Sequence, residues 1–245
     1  MIKYIQILGE RYSGTNYLAA LIRANIPSAE ITKSFGFKHW FIKDHQPRSA
    51  PNNTTDLECV RSLDHSDDTL FLVILRNPFD WLRSLARFPY HAPNHVGLTF
   101  SNFIRTPWIS YERNQANSDW AISDDGIYFI EKAENILVLR TKKIQHWINL
   151  RQRVKHIAFI NYENLYKNPS ALVDIADNFN IPVTNRPLID EPRYLTGGAV
   201  KNELFVPKKY EPILKHDLEF IESTLDWDVE ESVNYKFSDY LNKVE

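Results

Sequence analysis

Two groups of residues in this 245-residue chain have the types and spacing to hold anions. The first is the stretch ILGERYSGTNYL, where Gly9 and Gly14 keep a Gly-x-x-x-x-Gly spacing. Glycines permit a tight turn, and successive backbone N–H groups can then converge on a phosphate. A helix that starts just after the turn presents its positive end to the same anion. Ser13, Thr15 and Asn16 can add side-chain donors, and Arg11 can add charge. In loops that bind nucleoside triphosphates, the two positions after the second glycine hold Lys and then Ser or Thr. The lysine clamps the β- and γ-phosphates and the hydroxyl ligates Mg²⁺. Here those positions are Thr15 and Asn16. Triphosphate hydrolysis would lack a main clamp and a metal ligand, yet the loop could still cradle a phosphate. A plain strand-to-helix turn is the competing reading.

The second group is Arg76 with Ser84, in RNPFDWLRS. The planar fork of an arginine suits bidentate phosphate binding. Ser84 lies eight residues on, about two helical turns at 3.6 residues per turn. It could share an anion with Arg76 if the helix folds back past the strand end. The competing readings are an Arg76–Asp80 pair and an exposed helix serine.

The elements that must carry these residues are legible in outline. Tyr4–Leu8 reads as a first strand, and Asn16–Ile26 as a helix with Tyr17, Leu18, Leu21 and Ile22 on one face. Leu70–Leu75 is an unbroken apolar run, expected of a strand buried on both faces in a parallel sheet. Asn77 suits an N-cap, Pro78 the first helical position and Asp80 the first turn, so a helix should run from Pro78 to about Phe88. Residues 135–140 and 157–162 read as further strands, with a helix between them at 142–154. Residues 169–181 and 209–225 read as helices, 44–56 as a polar surface loop, and 186–208 as an extended loop. Strands alternating with helices predict an α/β fold, three-layered, around a mostly parallel sheet. One domain over residues 1–245 is expected, with an irregular insertion at about 88–126 of the kind that often carries function. Within it Trp108, Tyr111 and Trp120 could stack on sugar rings or pack as satellite core.

Composition narrows the class. The net charge of −2 gives no global field for nucleic acid or an anionic membrane, so any anion site must be local. The lone cysteine, Cys59, excludes an internal disulfide and a cysteine-based zinc site. No run approaches the ~20 apolar residues of a membrane span, and the N-terminus lacks the pattern of a secretion signal. A cytoplasmic protein is the simplest expectation; the oligomeric state is left open.

The ordered set of motifs resembles one family, the sulfotransferases that use 3′-phosphoadenosine 5′-phosphosulfate (PAPS). RYSGTNYL is similar to that family's 5′-phosphosulfate loop, RNPFDWLRS to its 3′-phosphate motif, and FINYENLYKNP to its Tyr-Glu-x-Leu segment. They occur in the family's order, over roughly residues 4–180. The resemblance implies a P-loop-type nucleotide fold, PAPS as donor, 3′-phosphoadenosine 5′-phosphate (PAP) as product, no metal, and a small-molecule or glycan acceptor. The missing loop lysine is then intelligible, because such a donor has no γ-phosphate to clamp.

Residue by residue, the resemblance implies donor binding by Gly9, Arg11, Tyr12, Ser13, Gly14, Thr15, Asn16, Arg76 and Ser84, with Tyr17 and Tyr162 near the adenine. Lys201 or Arg193 would close over the 3′-phosphate, aided by Gly197 and Gly198. His39, in GFKHWF, is the candidate base, since a histidine titrates near neutrality. The family carries a Lys-x-His segment at a similar place, whereas here Lys38 and His39 are adjacent. Lys38 is a candidate for holding the leaving group or the acceptor; Lys43, Asp44 and His45 are weaker choices. Where the family often has a lysine before Ser-Gly-Thr, this chain has Tyr12, so Arg11 is a candidate replacement cation. The other readings are a P-loop kinase or NTPase and a nucleotide-binding protein without turnover.

Overall fold

The computed structural model describes residues 1–42, 62–111, 130–189, 194–196, 199–201 and 209–241. Along them run β1 (Tyr4–Leu8), α1 (Thr15–Asn25), β2 (Glu30–Thr32), β3 (Thr69–Leu75) and α2 (Pro78–Arg87). Next come α3 (Phe100–Arg105), β4 (Trp108–Tyr111), β5 (Ile130–Ala133), α4 (Ile136–Asn149) and β6 (Ile157–Asn161). The chain continues through α5 (Tyr162–Lys167), α6 (Ala171–Asn178), β7 (Tyr194–Thr196) and β8 (Ala199–Lys201). It ends with α7 (Lys215–Thr224), α8 (Trp227–Glu231) and α9 (Ser238–Leu241). These residues fall into two compact units. The first takes those within Met1–Arg48, Thr55–Arg76 and Asn149–Lys209, the second those within Asn77–Ile148 and Tyr210–Glu245.

The first unit is α/β, built on a four-stranded sheet in the order β2-β1-β3-β6 with every pair parallel. All seven residues of β3 are buried, as its unbroken apolar run requires of a strand covered on both faces. Side chains alternate along a strand, so Leu70, Leu72 and Ile74 join Ile5 and Ile7 of β1 in one cluster. Leu18, Leu21 and Ile22 of α1 join it, the latter two lying three and four residues after Leu18 on one helix face. On the alternate parity Phe71 packs against Phe35, with ring centroids 5.1 Å apart.

Register brings three chain exits to one edge. Leu8 of β1 is level with Val73 of β3, and Leu75 with Asn161 of β6. Gly9, Arg76 and Tyr162 therefore leave the carboxyl ends of adjacent strands. From β1 the chain goes to β2 on one side and returns to β3 on the other. Strand order thus reverses between β1 and β3, the place where open α/β sheets bind ligands.

The second unit holds the antiparallel pair β4–β5 and helices α2, α3 and α7–α9, with most of α4. As expected, α2 opens with Asn77, whose side chain accepts from the Phe79 and Asp80 amides. Several other expectations are corrected. Residues 135–140 do not form a strand: Asn135 caps α4 by accepting from Leu137 N and Val138 N. The stretch from 88 to 111 is not wholly irregular, since it holds α3, β4 and a short 3₁₀ turn at Pro93–His95. Trp108 is fully buried against His95 and Phe103, so it is core and not a sugar platform. Within 186–208, β7 and β8 pair antiparallel, and the helix expected over 209–225 begins only at Lys215. Lys43, Asp44, His45, Cys59, Trp120, Arg193, Gly197 and Gly198, and the loop at 44–56, lie outside the described residues.

Candidate functional site

The turn after β1 is shaped by close backbone approach. A Cβ on Gly9 would lie 2.4 Å from the Ile74 carbonyl oxygen of β3 and 2.7 Å from Ser13 Oγ. Ser13, itself fully buried, donates to the Glu10 carbonyl from both its amide (3.1 Å) and its hydroxyl (2.7 Å). Its hydroxyl therefore serves the turn. Tyr12 (φ 64°) and Gly14 (φ 96°) are left-handed, a region that favours glycine. At Gly14 a side chain is also excluded by space, because a Cβ would meet Tyr162 Cδ2 at 2.3 Å. Gly14 then caps α1 without any side-chain hydrogen bond, and a helix start directs its first amides outward.

Arg76 completes this corner. It is buried, its Nη1 donates to the Tyr12 carbonyl at 3.3 Å, and its guanidinium lies over the Tyr162 ring at 5.2 Å. Tyr162, the first residue of α5, is buried between Gly14 and Arg76. Half-buried Tyr17 and Tyr166 border it, with centroids 6.3 and 5.9 Å from the Tyr162 ring and 6.1 Å from each other. Tyr166 escaped the sequence reading, although its four-residue offset from Tyr162 puts both on one helix face.

The GFKHWF segment is pinned to the same turn. Gly9 N donates to the Lys38 carbonyl at 3.0 Å, and His39 Nδ1 donates to the Gly9 carbonyl at 2.7 Å. That bond requires the proton on Nδ1, so that in a neutral ring the lone pair falls on Nε2. His39 is buried, its ring edge-on to Phe37 at 5.1 Å. Arg11 is not a solvated loop residue: it is buried, with its guanidinium 5.2 Å over the Trp40 ring. Lys38 is half-buried and donates to Asn16 Oδ1 at 2.6 Å. Burial, and then the nearby charges of Lys33 and Arg23, lower its pKa to about 8.

The structure thus brings Gly9, Arg11, Tyr12, Ser13, Gly14, Thr15, Asn16, Tyr17, Lys38, His39, Arg76 and Tyr162 together in the first unit. Ser84 belongs to the second unit, where it is buried and bonded to the Tyr210 hydroxyl at 2.9 Å. Asp80 pairs there with Arg83, at 2.6 Å. Tyr210, which also lies 5.0 Å from the Arg83 guanidinium, carried no signal in the sequence. Lys201 is the last residue of β8. Among the described residues no group of His, Cys, Asp or Glu is arranged to hold a metal ion, and no helix is long and apolar enough to cross a membrane. No family model matches this chain, and no curated protein matches it.

Proposed function

We propose that this protein is a sulfotransferase that moves a sulfonate group from PAPS to an acceptor hydroxyl on a small molecule or glycan. The observation that carries the reading is the meeting of a glycine turn and a buried arginine at one strand-order reversal. A glycine turn at the start of α1 and a buried arginine at the end of β3 touch through the Tyr12 carbonyl. A donor phosphorylated at both the 5′ and 3′ positions suits two such neighbours better than a linear triphosphate does. The loop also lacks the lysine and hydroxyl that a triphosphate and its Mg²⁺ require. On this reading the sheet is the centre of a three-layer P-loop-type fold forming a single cytoplasmic domain.

The roles follow from chemistry. The turn from Gly9 to Asn16 holds the 5′ end, Arg76 takes the 3′-phosphate with Lys201 as a further candidate, and Tyr17 with Tyr162 lies near the base. His39 accepts the acceptor's proton at Nε2. The acceptor oxygen forms a bond to sulfur as the bond from sulfur to the phosphate oxygen breaks, and PAP leaves with that electron pair. Arg11 and the amides at the α1 start offset the charge gathering on the leaving phosphate. No step calls for a metal.

Calorimetry of the full chain with PAP, in the presence and absence of EDTA, tests donor binding. Metal-independent binding is expected; no binding, or strict dependence on Mg²⁺, counts against the sulfotransferase reading. Mass spectrometry of candidate acceptors incubated with PAPS then tests turnover. A mass gain of one SO₃ is expected, lost in His39→Ala while PAP affinity persists. Binding without turnover of any acceptor would instead support a non-catalytic nucleotide-binding protein.

A further inference from the structure

The loop lacks its lysine, but the first turn of α1 does not lack one in space. Lys38, 22 positions along the chain, places its Nζ 2.6 Å from Asn16 Oδ1. Asn16 is the second residue of α1, and its backbone neighbours are the amides that open the helix. The Lys38 backbone is held there too, because its carbonyl accepts from Gly9 N. We infer that Asn16 is a positioning residue that aims Lys38 at the α1 start, so that Lys38 supplies the 5′ anion with a lysine cation, absent from the turn's own sequence, alongside Arg11. This rests on the proposed reading of the site and adds to it the source of the missing charge and the residue that sets it.

The charges around Lys38 point the same way. Lys38 makes no ion pair among the described residues. Among the described residues, the charges that act on it are Lys33, beyond β2, and Arg23, on α1; its neighbour His39 is bonded to Gly9. A half-buried ammonium among cations is costly while the site is empty, and an arriving anion relieves that cost. Asn16 suits the holding role because an amide oxygen directs the ammonium without neutralising it. A carboxylate at that position would compete with the ligand.

Binding of PAP is therefore expected to take up a proton above pH 8. Phosphate monoesters have a second pKa near 6, so between pH 7.5 and 9.5 the ligand's charge is nearly constant and a change in affinity reports on the protein. Calorimetric titration with PAP should show affinity level up to about pH 8 and falling above it, approaching roughly tenfold per pH unit. Lys38→Met should weaken binding about tenfold or more at pH 7 and flatten the profile. Lys38→Arg, whose charge does not titrate in this range, should keep much of the affinity and also lose the break. Asn16→Asp should lower affinity at pH 7 and move the break upward, while Asn16→Leu should move it downward. Thermal melts identify any variant that fails to fold, in which case the arginine and leucine variants carry the test. PAP binding with no break near pH 8, or with the same break in all Asn16 variants, overturns the inference and leaves the proposed function standing. Failure of the unaltered chain to bind PAP at any pH overturns both.

Discussion

The Arg76 guanidinium donates to the Tyr12 carbonyl and covers the Tyr162 ring, so one buried cation links the exits of β1, β3 and β6. A guanidinium has five N–H donors, and the Tyr12 contact uses one of them. On the proposed reading the same side chain both braces the turn and meets a phosphate. The two roles separate only when ligands with and without the second phosphate are compared.

Arg76→Gln is expected to lower affinity for PAP at least tenfold and affinity for adenosine 5′-phosphate less than threefold, consistent with the ~1.5–3 kcal/mol of a charge-assisted hydrogen bond. Parallel calorimetric titrations of both nucleotides give the ratio. Equal losses for the two would reduce Arg76 to a brace, with no 3′-phosphate role.

Gly14 faces two separate obstacles to substitution, its left-handed φ of 96° and the ring of Tyr162. Gly14→Ala should destabilise the chain by ~1–3 kcal/mol, the range for an alanine held in a sparsely populated backbone conformation, and should weaken PAP binding. Gly14→Ala combined with Tyr162→Ala removes the clash but not the backbone strain. In denaturant melts the penalty for Gly14→Ala should therefore shrink in the Tyr162→Ala background without vanishing. An unchanged penalty would show that the ring contact is soft.

Much of this arrangement was legible in the chain because it is local. The apolar run at 70–75, the Asn77-Pro78 start of α2 and the glycine spacing each act over a few residues. The strand expected at 135–140 is instructive in its failure. Asn135 is as good a cap as Asn77, but Arg140 and Lys143 are fully buried in α4, which hides the polar face that would betray a helix. The links that build the site are non-local. Nothing in a linear reading ties Lys38 to Asn16, His39 to the Gly9 carbonyl, or Arg11 to the Trp40 ring. Those pairings come from β2 lying beside β1, a three-residue strand too short to show a period.

The second unit should carry an acid-sensitive point at His95. The ring is fully buried against Phe103 and Trp108, and burial lowers its pKa from the usual 6.5, partly opposed by the Thr106 backbone. Below pH 6.5 the unfolded chain takes up this proton before the folded one does. Stability should then fall as pH drops from about 6.5 toward the lowered folded value. His95→Phe removes the titrating group, so its stability relative to the unaltered chain should rise over that window in denaturant titrations. A difference that stays constant from pH 7 to pH 5 would mean that His95 is protonated with little penalty when folded.

The ion pair between Arg140 and Glu230 tests how far that unit depends on buried charge. Both side chains are fully buried and meet through two parallel contacts, Nε–Oε1 at 2.5 Å and Nη2–Oε2 at 2.8 Å, and the guanidinium also lies 4.8 Å from the Trp81 ring. Glu230→Gln takes the Glu230 charge away from a buried guanidinium, which should cost ~3–5 kcal/mol. Replacing both partners, Arg140→Met with Glu230→Leu, removes the desolvation of two ions as well as their attraction, so the double variant should be more stable than Glu230→Gln alone. Chemical denaturation of the two variants supplies the comparison. If the double variant were the less stable, the pair would be a net source of stability, and the Trp81 contact would be the first place to look for it.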